Sequence, residues 1–194
     1  EYRDGYTYVE LELPAAGSCF VVFDHSRKHV NPQKADQSAQ MNITGPWEVR
    51  FPEGWGAPAQ MTVTELLPWC QMSLSDEAKA FSGKVAYKTV FSLEASQMDK
   101  QMILDLGKVD MIAEVKLNGH KLRPLWCTPY SIEIGEYLNA GDNVLEIDVT
   151  STWFNRLVYD ASQPEDMRKT WVIAGPNADA SLRPSGLMGP VVIR

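Results

Sequence analysis

Ala113-Glu114-Val115-Lys116-Leu117-Asn118-Gly119, near the middle of the chain, carries the clearest structural signal in the sequence. Ala113, Val115 and Leu117 fall on one side and Glu114 and Lys116 on the other, the two-residue period of a strand with one buried face. Asn-Gly directly after such a run is the strongest short hairpin signal, because a type I′ turn needs positive φ at both central residues. The same grammar extends outward from Leu104 to Arg156. Leu104-Asp105-Leu106-Gly107 precedes it, and Leu125-Trp126, Tyr130-Ser131-Ile132-Glu133-Ile134 and Ala140-Gly141-Asp142 follow. Leu145, Ile147 and Val149 then alternate with Glu146 and Asp148, and the stretch closes on Trp153-Phe154-Asn155-Arg156. With no helix of comparable strength among them, these runs predict an all-β, antiparallel β-sandwich.

The flanking sequence fits that centre. Trp47, Val49 and Phe51 alternate with Glu48 and Arg50, Met61 to Thr64 reads as a short strand, and Val85, Tyr87, Thr89, Phe91 and Leu93 share one face of a longer one. Met102 to Leu106 and Leu187 to Ile193 are further strands, the last with Pro190 at a strand start or edge. Ser75 to Phe81 suits one or two helical turns, with Ser73 or Ser75 as N-cap. Asp160 to Lys169 reads as a polar loop and Thr170 to Ile173 as a short strand.

Towards the N-terminus, Thr7, Val9, Leu11 and Leu13 alternate with Tyr8, Glu10 and Glu12, and Pro14 to Gly17 turns the chain into Cys19 to Phe23. This predicts a β-hairpin over residues 1–24, then a polar linker over 25–40 and the sandwich over 41–194. A lone hairpin is marginal in water. It is therefore expected to pair its edge with the sandwich or with a second copy of the chain, forming a homodimer. Starting on strand-like sequence without Met or leader, the chain is expected to be the tail of one domain joined to the next.

Composition narrows the function classes. Of 194 residues, 44% are hydrophobic and 22% charged, the balance of an ordinary globular protein. A net charge of −7 and a pI near 5.0 argue against nucleic acid or an anionic membrane surface as partner. No run approaches the roughly 18 apolar residues of a membrane span. Cys19, Cys70 and Cys127 form no Cys-x-x-Cys and read as small apolar fillers, with a single disulfide left open.

Several longer patterns resemble a known family. Gly45-Pro46-Trp47-Glu48-Val49-Arg50-Phe51, Gly54-Trp55-Gly56, Leu67-Pro68-Trp69 and Phe81-Ser82-Gly83-Lys84-Val85-Ala86-Tyr87 resemble the opening of the jelly-roll, galactose-binding-like domain of glycoside hydrolase family 2. Ala113 to Gly119, Leu125-Trp126 with Pro129-Tyr130, and Gly141-Asp142-Asn143 with Leu145-Glu146-Ile147 continue that framework. Trp153 to Leu157 and Ser185 to Val191 resemble the version at the C-terminal end of bacterial α-L-rhamnosidase-like enzymes (glycoside hydrolase family 106). The resemblance implies a non-catalytic module beside a catalytic barrel on the same parent chain, in the periplasm or outside the cell. Sandwiches of this kind sometimes hold a structural calcium, for which the sequence offers no cluster of oxygen ligands. No other cofactor is expected.

Read for chemistry alone, the residues agree. A glycosidase needs two carboxyl groups about 5 to 9.5 Å apart across a sugar, and the strand acids here alternate outward without forming such a pair. His25 and His29 lack the Glu of a zinc-binding His-Glu-x-x-His, and no Gly-x-Ser-x-Gly or phosphate-cradling Gly loop occurs. A bound pyranose asks instead for exposed aromatic plates beside amide, guanidinium or carboxylate groups. Trp126, Tyr130, Trp153, Asn155 and Arg156 are the best local set for carbohydrate contact. Against that stand core packing for Trp153 and a simple acidic partner for Arg156. Trp55 and Trp69 are equally suited to anchoring a neighbouring domain. The expectation is a carbohydrate-binding or accessory module, with a purely structural module or a hydrolase in its own right as alternatives.

Overall fold

The computed structural model describes residues 2–11, 13, 17–23, 40–99 and 101–194. It divides into two compact units, Glu1–Asp36 and Gln37–Arg194.

In the first unit, β1 (Tyr2–Arg3) and β2 (Tyr6–Thr7) pair around Asp4-Gly5. Both turn residues have positive φ, 54° and 82°, so the hairpin sits on the Asp-Gly signal rather than on Pro14 to Gly17. Among the described residues from Tyr8 to Phe23 there is no strand, and Val9, Leu11, Phe20 and Phe23 are exposed. The expected longer hairpin is thus corrected in place and length. Alternation alone does not make a strand without cross-strand pairs. The Pro14-Ala15-Ala16 corner and all but Gln40 of the expected linker lie outside the described residues.

The second unit is the antiparallel sandwich. Its strands are β3 (Met41–Asn42), β4 (Trp47–Arg50), β5 (Gln60–Val63), β6 (Lys84–Leu93), β7 (Ile103–Asp105), β8 (Lys108–Val109), β9 (Ile112–Leu117), β10 (His120–Lys121), β11 (Ser131–Glu133), β12 (Gly141–Thr150), β13 (Leu187–Gly189) and β14 (Val192–Ile193). Two short α-helices, α1 (Asp76–Lys79) and α2 (Phe154–Ala161), are inserted. A six-stranded sheet runs β10-β9-β12-β6-β4-β5 and a four-stranded one runs β11-β7-β14-β3, while β13 pairs with β8. The ten-residue ladder between β6 and β12, Gly141 against Leu93 through Thr150 against Lys84, is the spine.

The alternating residues do what their period requires. Val49, Tyr87, Val115 and Ile147 from the larger sheet join Leu104, Ile132 and Ile193 from the smaller in one core. Asn118-Gly119 turns β9 into β10 with φ of 50° and 86°. Asn118 also uses its side chain, donating to the Tyr137 carbonyl and to Asn143 Oδ1 while accepting from Val144 N, so the turn is bolted to the start of β12. Ser75 caps α1 as expected, accepting from Ala78 N at 3.2 Å.

Three expectations are corrected here. Trp69 is not a surface anchor: it is fully buried, and its indole N–H donates to the Tyr87 hydroxyl at 2.6 Å. That contact explains Gly186, where a Cβ would lie 2.5 Å from Trp69 Nε1. Thr170 to Ile173 forms no strand. All three cysteines are free, and Cys19 and Cys127 are exposed rather than buried.

Candidate functional site

β12 leaves the core at Thr150 and passes through Trp153 into α2, a helix the sequence pattern does not announce. The reason is visible in its buried residues: Asn155, Arg156, Val158 and Asp160. Three of those four are polar, so the inward side carries no apolar stripe.

Apart from Arg156 Nε, which is buried without a partner, those polar side chains are engaged in internal bonds. Asn155 donates to the Arg183 carbonyl at 2.8 Å and to Ser185 Oγ at 3.1 Å, and accepts from Arg183 N at 2.8 Å. Arg156 is 1% exposed. One terminal nitrogen donates to Glu77 Oε1 at 2.9 Å, and the other lies 2.7 Å from Asp160 Oδ1. The rings of Trp55 and Tyr159 each sit 5.1 Å from its guanidinium carbon. Glu77 also receives Lys169 Nζ at 2.7 Å, which in turn donates to the Gly54 carbonyl. Lys169 and then Arg156 hold the Glu77 carboxyl below its usual range. Burial pushes Asp160 upward, but bonds from Thr170 and Arg156 outweigh it and its acidity ends up strengthened. Asp160 Oδ2 accepts from Lys169 N, Thr170 N and Thr170 Oγ1, so this one carboxylate ties down the loop beyond the helix.

The other three candidates part ways. Tyr130 is buried, its hydroxyl donates to the Met111 carbonyl at 2.8 Å, and its ring borders a cleft of about 640 Å³ with Leu66, Leu67, Val109 and Met188. Trp126 is 72% exposed, beside Leu125, which bridges to Ala113 at the margin of the larger sheet. Trp153 is 47% exposed and meets the half-buried Trp55 edge-on at 5.5 Å. Two of the five therefore face solvent broadly, while Tyr130, Asn155 and Arg156 serve the fold.

A group that sequence reasoning missed lies beyond α2. Asp160, Glu165, Arg168, Lys169, Thr170 and Trp171 border a cleft of about 500 Å³, and Trp171 is 83% exposed. The available signal was a Trp directly after Arg168-Lys169-Thr170; its apolar neighbours Val172 and Ile173 made it look like a strand instead. Among the described residues no three His, Cys, Asp or Glu side chains gather where a metal could sit. Away from this cleft, Asp110 is the one carboxyl among the described residues with a raised pKa, through burial opposed by Ser185 and Arg183.

The profile of the family described as glycosyl hydrolase 2 galactose-binding domain-like matches residues 72–188, more than half of the chain. The chain belongs to this family. This galactose-binding-like domain is similar to a rhamnosidase from Novosphingobium sp. PP1Y, with a TM-score of 0.72 and 34% identity, covering 86% of this chain and 16% of that one. A protein of Formosa agariphila, provisionally named beta-glucuronidase, is 33% identical over 129 residues, which is 66% of this chain and 11% of that protein. The fold is shared with a beta-D-glucuronidase of Dictyoglomus thermophilum at a TM-score of 0.57 and 21% identity. The domain thus spans only a small part of the relatives it matches, and it is the galactose-binding-like part of glycoside hydrolase-family proteins.

Proposed function

We propose that this domain is a non-catalytic accessory module of a larger, α-L-rhamnosidase-like glycoside hydrolase, packing beside the catalytic domain and contacting glycan through Trp126 and Trp153. One observation carries the reading: the chain matches 16% of the rhamnosidase and 11% of the Formosa protein, so most of each relative lies outside the matched part. The fate of its polar candidates supports it. Asn155 and Arg156 spend their bonding capacity on the fold, while Trp126 and Trp153 keep broad apolar surface in water. The direct test incubates the 194-residue chain with nitrophenyl rhamnoside, galactoside and glucuronide. No turnover is expected; turnover that survives repurification would make it a hydrolase in its own right.

A purely structural module is the second reading, favoured by the same internal bonds. Titrating the chain with soluble rhamnose-, galactose- and uronate-containing oligosaccharides, followed by tryptophan fluorescence, separates the two. Silence across that panel would leave only the structural role. The periplasmic or extracellular placement of the parent is inferred from the family and is checked by fractionating cells that express it. Self-association through the N-terminal segment is tested by comparing sedimentation of residues 1–194 with that of residues 40–194. A monomer's mass for residues 1–194 would dismiss the dimer.

A further inference from the structure

In the cleft beyond α2, Asp160, Lys169 and Thr170 bond within the fold, while Glu165, the end of Arg168 and Trp171 are left facing the opening. Trp171 presents its indole to solvent, and the loop that carries it is held by Asp160 through Lys169 and Thr170. Arg168 donates its Nε to the Gln163 carbonyl at 3.0 Å, a bond that directs the side chain and leaves the forked end of the guanidinium for other acceptors. Glu165, an exposed carboxylate in the same wall, can accept from hydroxyls. Lys169 spends two of its three ammonium hydrogens on Gly54 and Glu77.

We propose that this cleft is a carbohydrate-binding site, with the Trp171 indole as the plate for a pyranose C–H face and Arg168 and Glu165 as donor and acceptor for its hydroxyls. The proposal deepens the accessory-module reading and rests on it. The cavity, about 500 Å³, is within the usual size range of small-ligand sites. Its lining sets one aromatic plate and the small apolar patch of Leu157, Ala161, Val172 and Pro176 beside ionised groups of both signs, the mixture that a sugar's C–H face and hydroxyl rim call for. The two carboxylates, Asp160 and Glu165, and the two cations, Arg168 and Lys169, balance in charge, so the cleft has no net field and suits a neutral pyranose. The site is continuous with the Trp153 surface: Trp55 touches Trp153 at 5.5 Å and has Lys169 Nζ 5.7 Å from its ring.

The test is calorimetric titration of the whole 194-residue chain with methyl α-L-rhamnopyranoside, methyl β-D-galactopyranoside and methyl β-D-glucuronide, together with short oligosaccharides of each. At least one neutral probe is expected to bind more tightly than the glucuronide. Trp171→Ala should weaken that binding about tenfold or more, since the stacked ring supplies most of the apolar contact. Glu165→Gln and Arg168→Met should each weaken it severalfold. Lys88→Ala, on the open face of the larger sheet, should leave it unchanged. Circular dichroism and the melting temperature of each variant check that the fold is intact. Binding that survives Trp171→Ala overturns this site while leaving the module reading in place. No binding by the unsubstituted chain overturns it in favour of the structural role. Turnover of the probes would instead overturn the module reading itself.

Discussion

Lys84, Glu114 and Asp148 on the open face of the six-stranded sheet, and Arg156, Glu77 and Asp160 beneath Trp55, are two versions of the same chemistry: one cation between two carboxylates. On the open face Lys84 and Glu114 are about half exposed, at 50% and 53%, and water solvates whatever the partners do not. Beneath Trp55 the Arg156 side chain is 1% and that of Asp160 3% exposed, and only Glu77, at 27%, reaches solvent. Proximity of charges thus says little about their worth until burial is known. Burial also separates two jobs. The open-face pairs keep a sheet surface soluble, whereas the buried set joins the Trp55 loop, α1, α2 and the loop bearing Trp171.

Removing the two cations in turn should separate the two sites most clearly. Arg156→Ala takes the paired cation from Asp160, which keeps just its Lys169 and Thr170 donors, and leaves Glu77 with Lys169 alone, so we expect a loss of about 3–5 kcal/mol in urea unfolding. A loss below that of an open-face substitution would show that the buried set is not what holds α2 in place. Next in size is Tyr87→Phe, which leaves the Trp69 indole N–H and Leu187 N without their shared acceptor and should cost about 1–3 kcal/mol. The smallest effect belongs to Lys84→Ala, expected to cost at most about 1 kcal/mol and less in high salt.

Titration sharpens the same contrast. The folded values of Glu77 and Asp160 lie below their ordinary 4.5 and 3.8. Their contribution is thus complete above those values and fades as pH falls through the lower folded ones. Stability measured from pH 5 downward should drop, and Asp160→Asn should flatten part of that drop. At the other extreme, burial, against bonds from Leu187 and Trp69, pushes Tyr87 from 10.0 up to about 12. Its stabilisation is full below pH 10 and is lost as pH rises from there towards 12. Tyr87→Phe should abolish that alkaline component. A component that persists in the variant would assign it to other groups.

Much of the sandwich could be read directly. Alternation in β6, β9 and β12 placed the core faces, and Asn118-Gly119 placed a hairpin. Those features depend on neighbours in sequence, where a two-residue period reports one buried side. The N-terminal hairpin was misplaced because Asp4-Gly5, with only two residues on each side, carries too little alternation to compete with Thr7 to Leu13. The site was less legible still. Arg156 and Asn155 look alike in sequence whether they meet a sugar or Glu77 and Arg183, partners 79 and 28 positions away. Trp171 was hidden by Val172 and Ile173, which look like strand residues yet have no sheet to join.

By itself, then, the sequence determined that this chain makes antiparallel strands around one core and carries the framework of a galactose-binding-like domain. Strand period and turn preference act over a few residues, so they are written locally. Tertiary structure alone decided which aromatics face water, which cations are sealed in, and that α2 turns its polar side inward. Those outcomes depend on desolvation by segments far apart in the chain, and burial exists only once the layers have closed.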